Sequence, residues 1–403
     1  MSRKYWIDKD GITRYEIGKY ASEYNLPYYF EDELSPKLCI PDIKSWQDCI
    51  NDDLNGIWKY EPILPIKGES AYALSDTSFN ELPTPIRSDE MANLLGVKEV
   101  FLFPCVYGRS GTFKDIEASF IIGKIRDWEI NQPISFHSTG NTARAYHEYA
   151  IAANYKTAGF FPLSCVNKLI GASDCENNEL YAYNGHFQNL SQKAKQWAKD
   201  NHYLHLAPLR WKIEGKTPLG YHILNCVPNT TNIVQTIAGG YGALGIFEAV
   251  RRLKGWGLIH KTPQFNLYQL QGVDTFARLL PLNRDIFETD LKLPFNTFEL
   301  TLQSTNPLST FNYVRKVCET THSKIYAVSE EKIINYSNEF SSICRSLNIP
   351  VSFIDEKSPF ISYAGLRTYA DTVGFHGDEI ISFVITGACQ RVGLIPSINL
   401  LQN

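Results

Sequence analysis

Three short segments carry the residue types best suited to chemistry. The first is Ser138-Thr139-Gly140-Asn141-Thr142. It lies between an apolar stretch, Pro133–His137, and a helical pattern over Thr142–Ala153. A strand that ends in small polar residues and enters a helix presents unpaired N–H groups and hydroxyls, a ready pocket for a carboxylate or phosphate. The same residues also suit an ordinary helix cap. The second segment is Gly239-Gly240-Tyr241-Gly242-Ala243, opening a helical pattern in which Ala243, Leu244, Ile246, Phe247, Val250 and Leu253 share one face. Glycine lets a backbone approach an anion closely, and also lets a helix pack tightly on a sheet. The third is Gly108-Arg109-Ser110-Gly111-Thr112-Phe113-Lys114-Asp115, which sets one lysine after a glycine turn and before an expected helix, Asp115–Ile122. Such a lysine is either a solvated surface group or, if buried, an amine able to form a Schiff base.

Together, one lysine and two anion pockets meet the needs of pyridoxal phosphate. The lysine holds the aldehyde, the glycine turn holds the phosphate, and the other loop holds an amino-acid carboxylate. Gly240–Gly245 also fits the GxGxxG spacing of dinucleotide-binding turns. However, Pro228–Ala238 separates it from the expected strand Tyr221–Val227, and the acidic residue required about 20 positions on is replaced by Phe265. A nicotinamide oxidoreductase is therefore the weaker reading, and a catalytically dead member of the pyridoxal phosphate fold is another rival.

The elements that must position these segments alternate. Strands are expected at Glu99–Phe103, Pro133–His137, Gly159–Pro162, Tyr221–Val227 and Ile380–Ile385, and helices at Ser88–Leu95, Thr142–Ala153, Ser191–Asn201 and from Ala243 to Lys254. Apolar strands alternating with helices imply α/β layers with parallel sheets covered on both faces. Residues 1–55 are polar and aromatic and read as a wrapping extension with a hairpin (Lys4–Ile7, Thr13–Ile17, turn at Asp10-Gly11). Gly68–Pro85 reads as loop.

The order and spacing of these motifs resemble the threonine synthase group of fold-type II pyridoxal phosphate enzymes, and within it cysteate synthase most. The resemblance covers about residues 56–393. Gly56-Ile57-Trp58-Lys59-Tyr60 with Leu64-Pro65, and Thr84-Pro85-Ile86, are similar to early segments of that group. Thr112–Ala118 resembles its Schiff-base segment, with Glu117-Ala118 leaning to cysteate synthase. Ala238–Gly242, Glu248-Ala249 and Arg251-Arg252-Leu253 resemble the phosphate turn and helix of cysteate synthase, and Ile385-Thr386-Gly387 resembles the C-terminal strand end. Tyr241 replaces a small residue, and Ala388-Cys389-Gln390 replaces a glycine-rich turn.

The resemblance implies a tryptophan synthase β-like α/β fold, with two lobes of mostly parallel twisted sheet and the cofactor in the cleft between them. Residues 56–118 and 211–403 would form the large lobe and 119–210 the small mobile one. It implies Lys114 as Schiff-base lysine and general base. Asn141 would meet the cofactor's 3-hydroxyl, Thr386 its pyridine nitrogen, and Ala238, Gly239, Gly240, Tyr241 and Gly242 its phosphate. Ser138, Thr139, Gly140 and Thr142 would bind the substrate carboxylate. The implied reaction is β-replacement through an aminoacrylate: O-phospho-L-serine plus sulfite giving L-cysteate and phosphate. Alternatives are O-phosphohomoserine plus water giving threonine, or phosphoserine with another small nucleophile. Arg109 and Arg144 are candidates for the substrate's phosphate, or surface ion pairs. His137 could face the site or be structural, and Cys165 and Cys226 read as core. A homodimer is implied by the resemblance alone.

Composition narrows the setting. The chain of 403 residues is 44% hydrophobic and 20% charged with net charge −4, a globular profile that offers no basic groove for nucleic acid. The uncharged stretch Thr217–Phe247 holds five glycines, Pro228 and several Asn and Gln residues, which argues against a membrane span. Nine dispersed cysteines without a CxxC pair, and no apolar leader, suggest reduced thiols and a cytoplasmic protein. His202/His205 alone is a poor zinc site, so no metal is expected.

Overall fold

A computed structural model describes all residues except 1–3, 9–12, 25, 27–36, 41–42, 68–73, 75–79, 186, 207–208, 292–296, 303–306, 388–390 and 402–403. In chain order it begins with β1 (Tyr5–Ile7), β2 (Arg14–Glu16), α1 (Tyr20–Glu23) and β3 (Lys37–Cys39). The hairpin expected near the N-terminus is present as β1 and β2, joined by β3 into a small antiparallel sheet ordered β2-β1-β3. Its expected turn at Asp10-Gly11 lies outside the described residues, as does most of the 68–85 segment.

Next come β4 (Ile86–Arg87), α2 (Asp89–Leu95), β5 (Glu99–Pro104), α3 (Lys114–Asp127), β6 (Ile134–His137), α4 (Asn141–Ala152), β7 (Thr157–Pro162), β8 (Asn178–Tyr183), α5 (Phe187–Asp200) and β9 (Leu204–His205). The rest comprises α6 (Leu209–Glu214), α7 (Thr217–Cys226), β10 (Asn232–Thr236), α8 (Tyr241–Gly255), β11 (Gln264–Leu270), α9 (Thr275–Leu279), α10 (Leu308–Thr321), β12 (Lys324–Val328), α11 (Glu330–Ser346), α12 (Ser358–Thr372), β13 (Ile380–Ile385) and β14 (Asn399–Leu400). Local chemistry sets several of these bounds. Helix α2 starts where Ser88 Oγ accepts the Met91 N–H at 3.2 Å and stops at the left-handed Gly96.

Two sheets form the body. A six-stranded sheet is ordered β12-β11-β10-β13-β5-β4, parallel except for β4. A five-stranded parallel sheet is ordered β14-β8-β7-β6-β9. Every residue of the central strands β10 and β13 is buried, as helices on both faces require. Helix α3 runs through the expected lobe boundary at 118/119, and β14 carries the end of the chain into the five-stranded sheet. Among the described residues no helix is long and apolar enough to cross a membrane.

Two expectations need correction. Tyr221–Val227 is not a strand but most of helix α7, whose first turn carries Pro218. The helix is buried over Thr217–Leu224, and Gly220 lies so close to α8 that a Cβ there would stand 2.9 Å from the Ile246 backbone. A short helix buried all round reads like a central strand, because neither shows amphipathic spacing. Conversely, β10 is a strand with polar residues. Asn232 pairs with Asn266 at 2.9 Å, and the Thr236 hydroxyl donates to the Ser358 carbonyl at 2.5 Å. These partners let polar side chains sit at the centre of a sheet.

The extension is anchored by one carboxylate. Glu23 is fully buried and accepts from the indoles of Trp6 (2.8 Å) and Trp128 (2.7 Å) and from the Gly18 N–H (2.7 Å). It also pairs with buried Lys124 at 2.7 Å. Replacing Glu23 by Ala would leave the Lys124 ammonium with less compensation and two indole donors orphaned. It should cost about 3–5 kcal/mol of stability, measurable as a lower urea midpoint followed by tryptophan fluorescence.

Candidate active site

Lys114 opens helix α3, and its position is set by the turn before it. Asp115 accepts the N–H of Ser110 (3.0 Å) and of Thr112 (3.3 Å), folding the turn back on the helix start. The Phe113 N–H donates to the Thr386 carbonyl at 2.9 Å. Lysine and strand end are therefore fixed to each other through backbone. The Lys114 ammonium lies 4.5 Å from the Phe113 ring centroid. Burial, reinforced by the neighbouring Lys216, pulls its pKa down from 10.5 to about 8. Lys216 is itself paired with Glu117 at 2.7 Å, and the Tyr146 hydroxyl donates to the same carboxylate at 2.6 Å. Burial alone would raise the Glu117 carboxyl, but Lys216, Lys114 and Lys212 hold it down at about 2.

A cavity of about 420 Å³ opens in front of this lysine, a size suited to a cofactor with a small substrate. Its floor is the turn between β10 and α8. The glycine turn thus follows a strand closely, contrary to the expectation from sequence, in which β10 was absent. Gly240 is left-handed with φ +84°, and a Cβ there would lie 2.6 Å from Val314. No side chain caps α8, so the N–H groups of its first turn are left for a ligand. The Thr310 hydroxyl ties the Gly239 carbonyl at 2.8 Å. Ala238, Gly239, Gly240, Tyr241 and Gly242 all line the cavity.

The asparagine loop forms another wall, with Ser138, Thr139, Asn141 and Thr142 lining the cavity and Gly140 behind them. Its cap and pocket readings coexist. Ser138 Oγ accepts the N–H of Gly140 (3.1 Å) and Ala143 (2.7 Å), and the Thr139 hydroxyl donates to the Thr301 carbonyl at 2.9 Å. Asn141 donates to Glu356 at 2.7 Å and accepts from Arg391 at 2.7 Å. Its amide therefore has polar partners that a bound cofactor would have to displace or share.

The two candidate arginines are not in the cavity wall. Arg144 donates to the carbonyls of Ile170 (2.7 Å) and Gly171 (3.4 Å), fastening the turn after the short helix Leu163–Leu169. Arg109 lies over the Tyr149 ring, 5.6 Å from its centroid, beside buried Glu81. The cations that do line the cavity are Lys195 of α5 and Lys212 of α6, together with Ser191. Neither lysine stood out in the sequence, because an isolated lysine on a helix carries no motif. Glu356 was missed for the same reason. It lines the cavity just before α12 and is held well below the usual carboxylate range, against its burial, by Lys168 and Arg391. Glu299 joins this group, pairing with Lys168 at 3.0 Å. Cys165 is buried, but Cys226 is exposed at the end of α7 rather than in the core. Among the described residues no cluster of His, Cys, Asp and Glu could hold a metal.

The polar inventory has one gap that a ligand would fill. Among the described residues, Thr386 Oγ1 and both ends of the Gln235 amide are buried without a hydrogen-bond partner, and both residues face the cavity. Buried polar atoms are usually paired, and these are the ones on residues that line the cavity, where a ligand could pair them. A buried amine of low pKa, an uncapped glycine turn and an orphaned hydroxyl fit one group with an aldehyde, a phosphate and a polar ring. Residues 77–345 match the family of pyridoxal-phosphate dependent enzymes.

The chain belongs to that family. Its cofactor is pyridoxal 5'-phosphate and it is an enzyme. Threonine synthase of Methanocaldococcus jannaschii is 26% identical over 226 residues, 54% of this chain. The match spans 54% of that relative's length. Solved structures of similar fold include maize serine racemase (TM-score 0.61, 18% identity, 79% of this chain and 92% of that one). Others are the processed form of threonine deaminase isoform 2 from Solanum lycopersicum (0.60, 15%, 80% and 89%) and a fungal L-serine ammonia-lyase from Rhizomucor miehei (0.60, 14%, 78% and 96%). The expected fold-type II architecture is thus established, and the nicotinamide reading is set aside.

The low pKa of Lys114 has a kinetic signature. The uncharged amine is the attacking form, so a folded pKa near 8 in place of 10.5 makes it available at lower pH. Covalent attachment of pyridoxal phosphate to the apo protein should speed up as pH rises and level off above about 8. Stopped-flow absorbance across a pH series checks this.

Proposed function

We propose that the enzyme performs β-replacement on O-phospho-L-serine, with sulfite as nucleophile, giving L-cysteate and phosphate. The observation that carries this reading is the pair of ammonium groups, Lys195 and Lys212, in the cavity wall beside the asparagine loop. They take the phosphate-binding part first assigned to Arg109 and Arg144. Two cations and the Ser191 hydroxyl suit a dianionic leaving group, and the same site suits a sulfonate product. The likeness of Thr112–Ala118 and Ala238–Leu253 to cysteate synthase supports the choice of nucleophile. In this reading a homodimer follows from that likeness, and a cytoplasmic setting from the dispersed cysteines.

Pyridoxal phosphate, when bound, supplies an electrophilic carbon and an electron sink that acidifies the Cα–H of an amino acid. Lys114 would hold it covalently, the turn Ala238–Gly242 would hold its phosphate, and Asn141 and Thr386 would meet polar atoms of its ring. Ser138, Thr139 and Thr142, backed by Gly140, would orient the substrate carboxylate. With substrate in the site, the Lys114 amine would be placed to take the Cα proton and to return it. Its lowered pKa suits both duties near neutrality. Lys195 and Lys212 would bind the phosphate and steady the charge it takes away.

A second reading, hydrolytic replacement on O-phosphohomoserine to give threonine, is favoured by the similarity to the archaeal threonine synthase. Assaying phosphate release from both phosphorylated amino acids, with and without sulfite, separates the two. Sulfite-dependent L-cysteate from O-phospho-L-serine is expected, whereas sulfite-independent threonine from O-phosphohomoserine would replace the first reading with the second. Lys212→Met should raise KM for O-phospho-L-serine about tenfold with a smaller change in kcat. Arg144→Met should leave KM unchanged and lower thermal stability.

A further inference from the structure

His137 ends strand β6 and lines the cavity, and its ring is not alone. Its Nδ1 lies 2.9 Å from His205 Nε2, and His205 Nδ1 lies 2.8 Å from Ser135 Oγ. The two imidazole planes lie within 9° of each other with 5.1 Å between centroids, as an edge-to-edge hydrogen bond requires, and the tilted Phe187 ring lies 5.8 Å from His137. Neighbouring parallel strands supply all three polar groups: Ser135 and His137 from β6, and His205 from β9, where Ser135 and His205 are in register. With Nδ1 committed to His205, Nε2 is the ring nitrogen that His137 has left for the cavity.

We infer that His137 is a specificity-determining donor for the substrate's anionic leaving group. It is held as the Nε2–H tautomer by a chain running Ser135 Oγ–H to His205 Nδ1 and His205 Nε2–H to His137 Nδ1. This rests on the reading that the substrate carries such a group next to Lys195 and Lys212. A ring whose Nδ1 accepts must carry its proton on Nε2. His137, Lys195 and Lys212 line the same cavity, and both lysines act on the His137 ring, so the Nε2–H would add a third donor to theirs. The electrostatics keep both rings uncharged, as a single-proton tautomer requires. Burial, then Lys212, His205 and Lys195, push the His137 pKa down to about 2, and burial with Lys195 and Lys212 lowers His205 to about 4. Among the described residues, the charged groups that act on the pair are Lys195 on α5 and Lys212 on α6, both cations, which add to burial in keeping the imidazoles uncharged. His137 then gives direction where the lysines give charge, as donors fixed before the reaction do. His205 is a positioning residue that acts only through the tautomer of His137.

The test uses the holoenzyme and inorganic sulfate, a dianion throughout the pH range used. Calorimetry gives sulfate affinity, and 15N-histidine NMR gives the tautomer. In the sulfate complex the His137 proton should sit on Nε2, and sulfate should shift that resonance. The affinity should stay flat between about pH 5.5 and 8, because an imidazole already uncharged does not titrate there. His137→Phe should weaken sulfate binding about tenfold, and His137→Gln, which keeps a donor, should recover most of it. His205→Phe should mix the two His137 tautomers and weaken binding severalfold. The inference is overturned if the proton sits on Nδ1, if affinity climbs as pH falls through six, if His137→Phe binds sulfate like wild type, or if His137→Gln fails to recover binding. If sulfate behaves as expected but neither phosphorylated amino acid is turned over, the proposed function fails and the His137 assignment stands. Turnover of phosphoserine without any sulfate effect on His137 means the reverse: the function stands and the His137 assignment fails.

Discussion

The burial of one amine organises this molecule. An ammonium removed from water without a full set of partners is costly, so a lysine placed there gives up its proton far more readily. At Lys114 the fold keeps that condition in two ways. The lysine stands at the first residue of a helix whose preceding turn is tied to the end of β13, which fixes the backbone from which its side chain enters the cavity. The neighbouring Lys216 adds positive charge but is itself neutralised by Glu117, which the Tyr146 hydroxyl also holds. The result is an amine that sheds its proton at about pH 8 in place of 10.5, beside a compensated ion pair. Lys216 also lies 4.8 Å from the Phe113 ring centroid, so both ammonium-bearing side chains share one aromatic ring.

A second buried network links the walls of the cavity. Lys168 follows β7, Glu299 and Glu356 precede the helical segments at 300–302 and 358–372, and Arg391 follows β13. Lys168 pairs with Glu299 at 3.0 Å and Glu356 at 3.3 Å, and Arg391 lies 3.8 Å from Glu356. Two cations and two anions balance. Ion pairs of this kind contribute more to a defined arrangement than to net stability, because desolvation offsets most of their attraction. Here the arrangement matters, since Asn141 is suspended between Glu356 and Arg391 at the cavity wall.

How far the sequence disclosed the fold and site follows from the type of signal. Lys114, the glycine turn at 239–242 and the loop at 138–142 were legible because each combines a special backbone with a polar group in a few adjacent residues. Strand β13 was legible because every side chain in Ile380–Ile385 but Ser382 is apolar. Strand β10 was not, because its Asn232, Gln235 and Thr236 look like loop until the partners of Asn232 on β11 and of Thr236 on α12 are known. Helix α7 was mistaken for a strand because burial on all sides erased its period. Lys195, Lys212 and Glu356 enter the cavity from separate segments of the chain, so no local pattern announces them. Arg144 misled for the opposite reason: its place in sequence was close to the loop, but nearby carbonyls captured its guanidinium.

Lys195, Lys212 and Lys216 all lie in or near the cavity, so identifying which amine carries the cofactor is the decisive measurement. The holoenzyme would be reduced with borohydride, digested, and mapped by mass spectrometry for the added pyridoxyl group. The label is expected on the peptide containing Lys114 and on no other lysine. A label on Lys195, Lys212 or Lys216, with Lys114 unmodified, would contradict the assignment on which the rest depends.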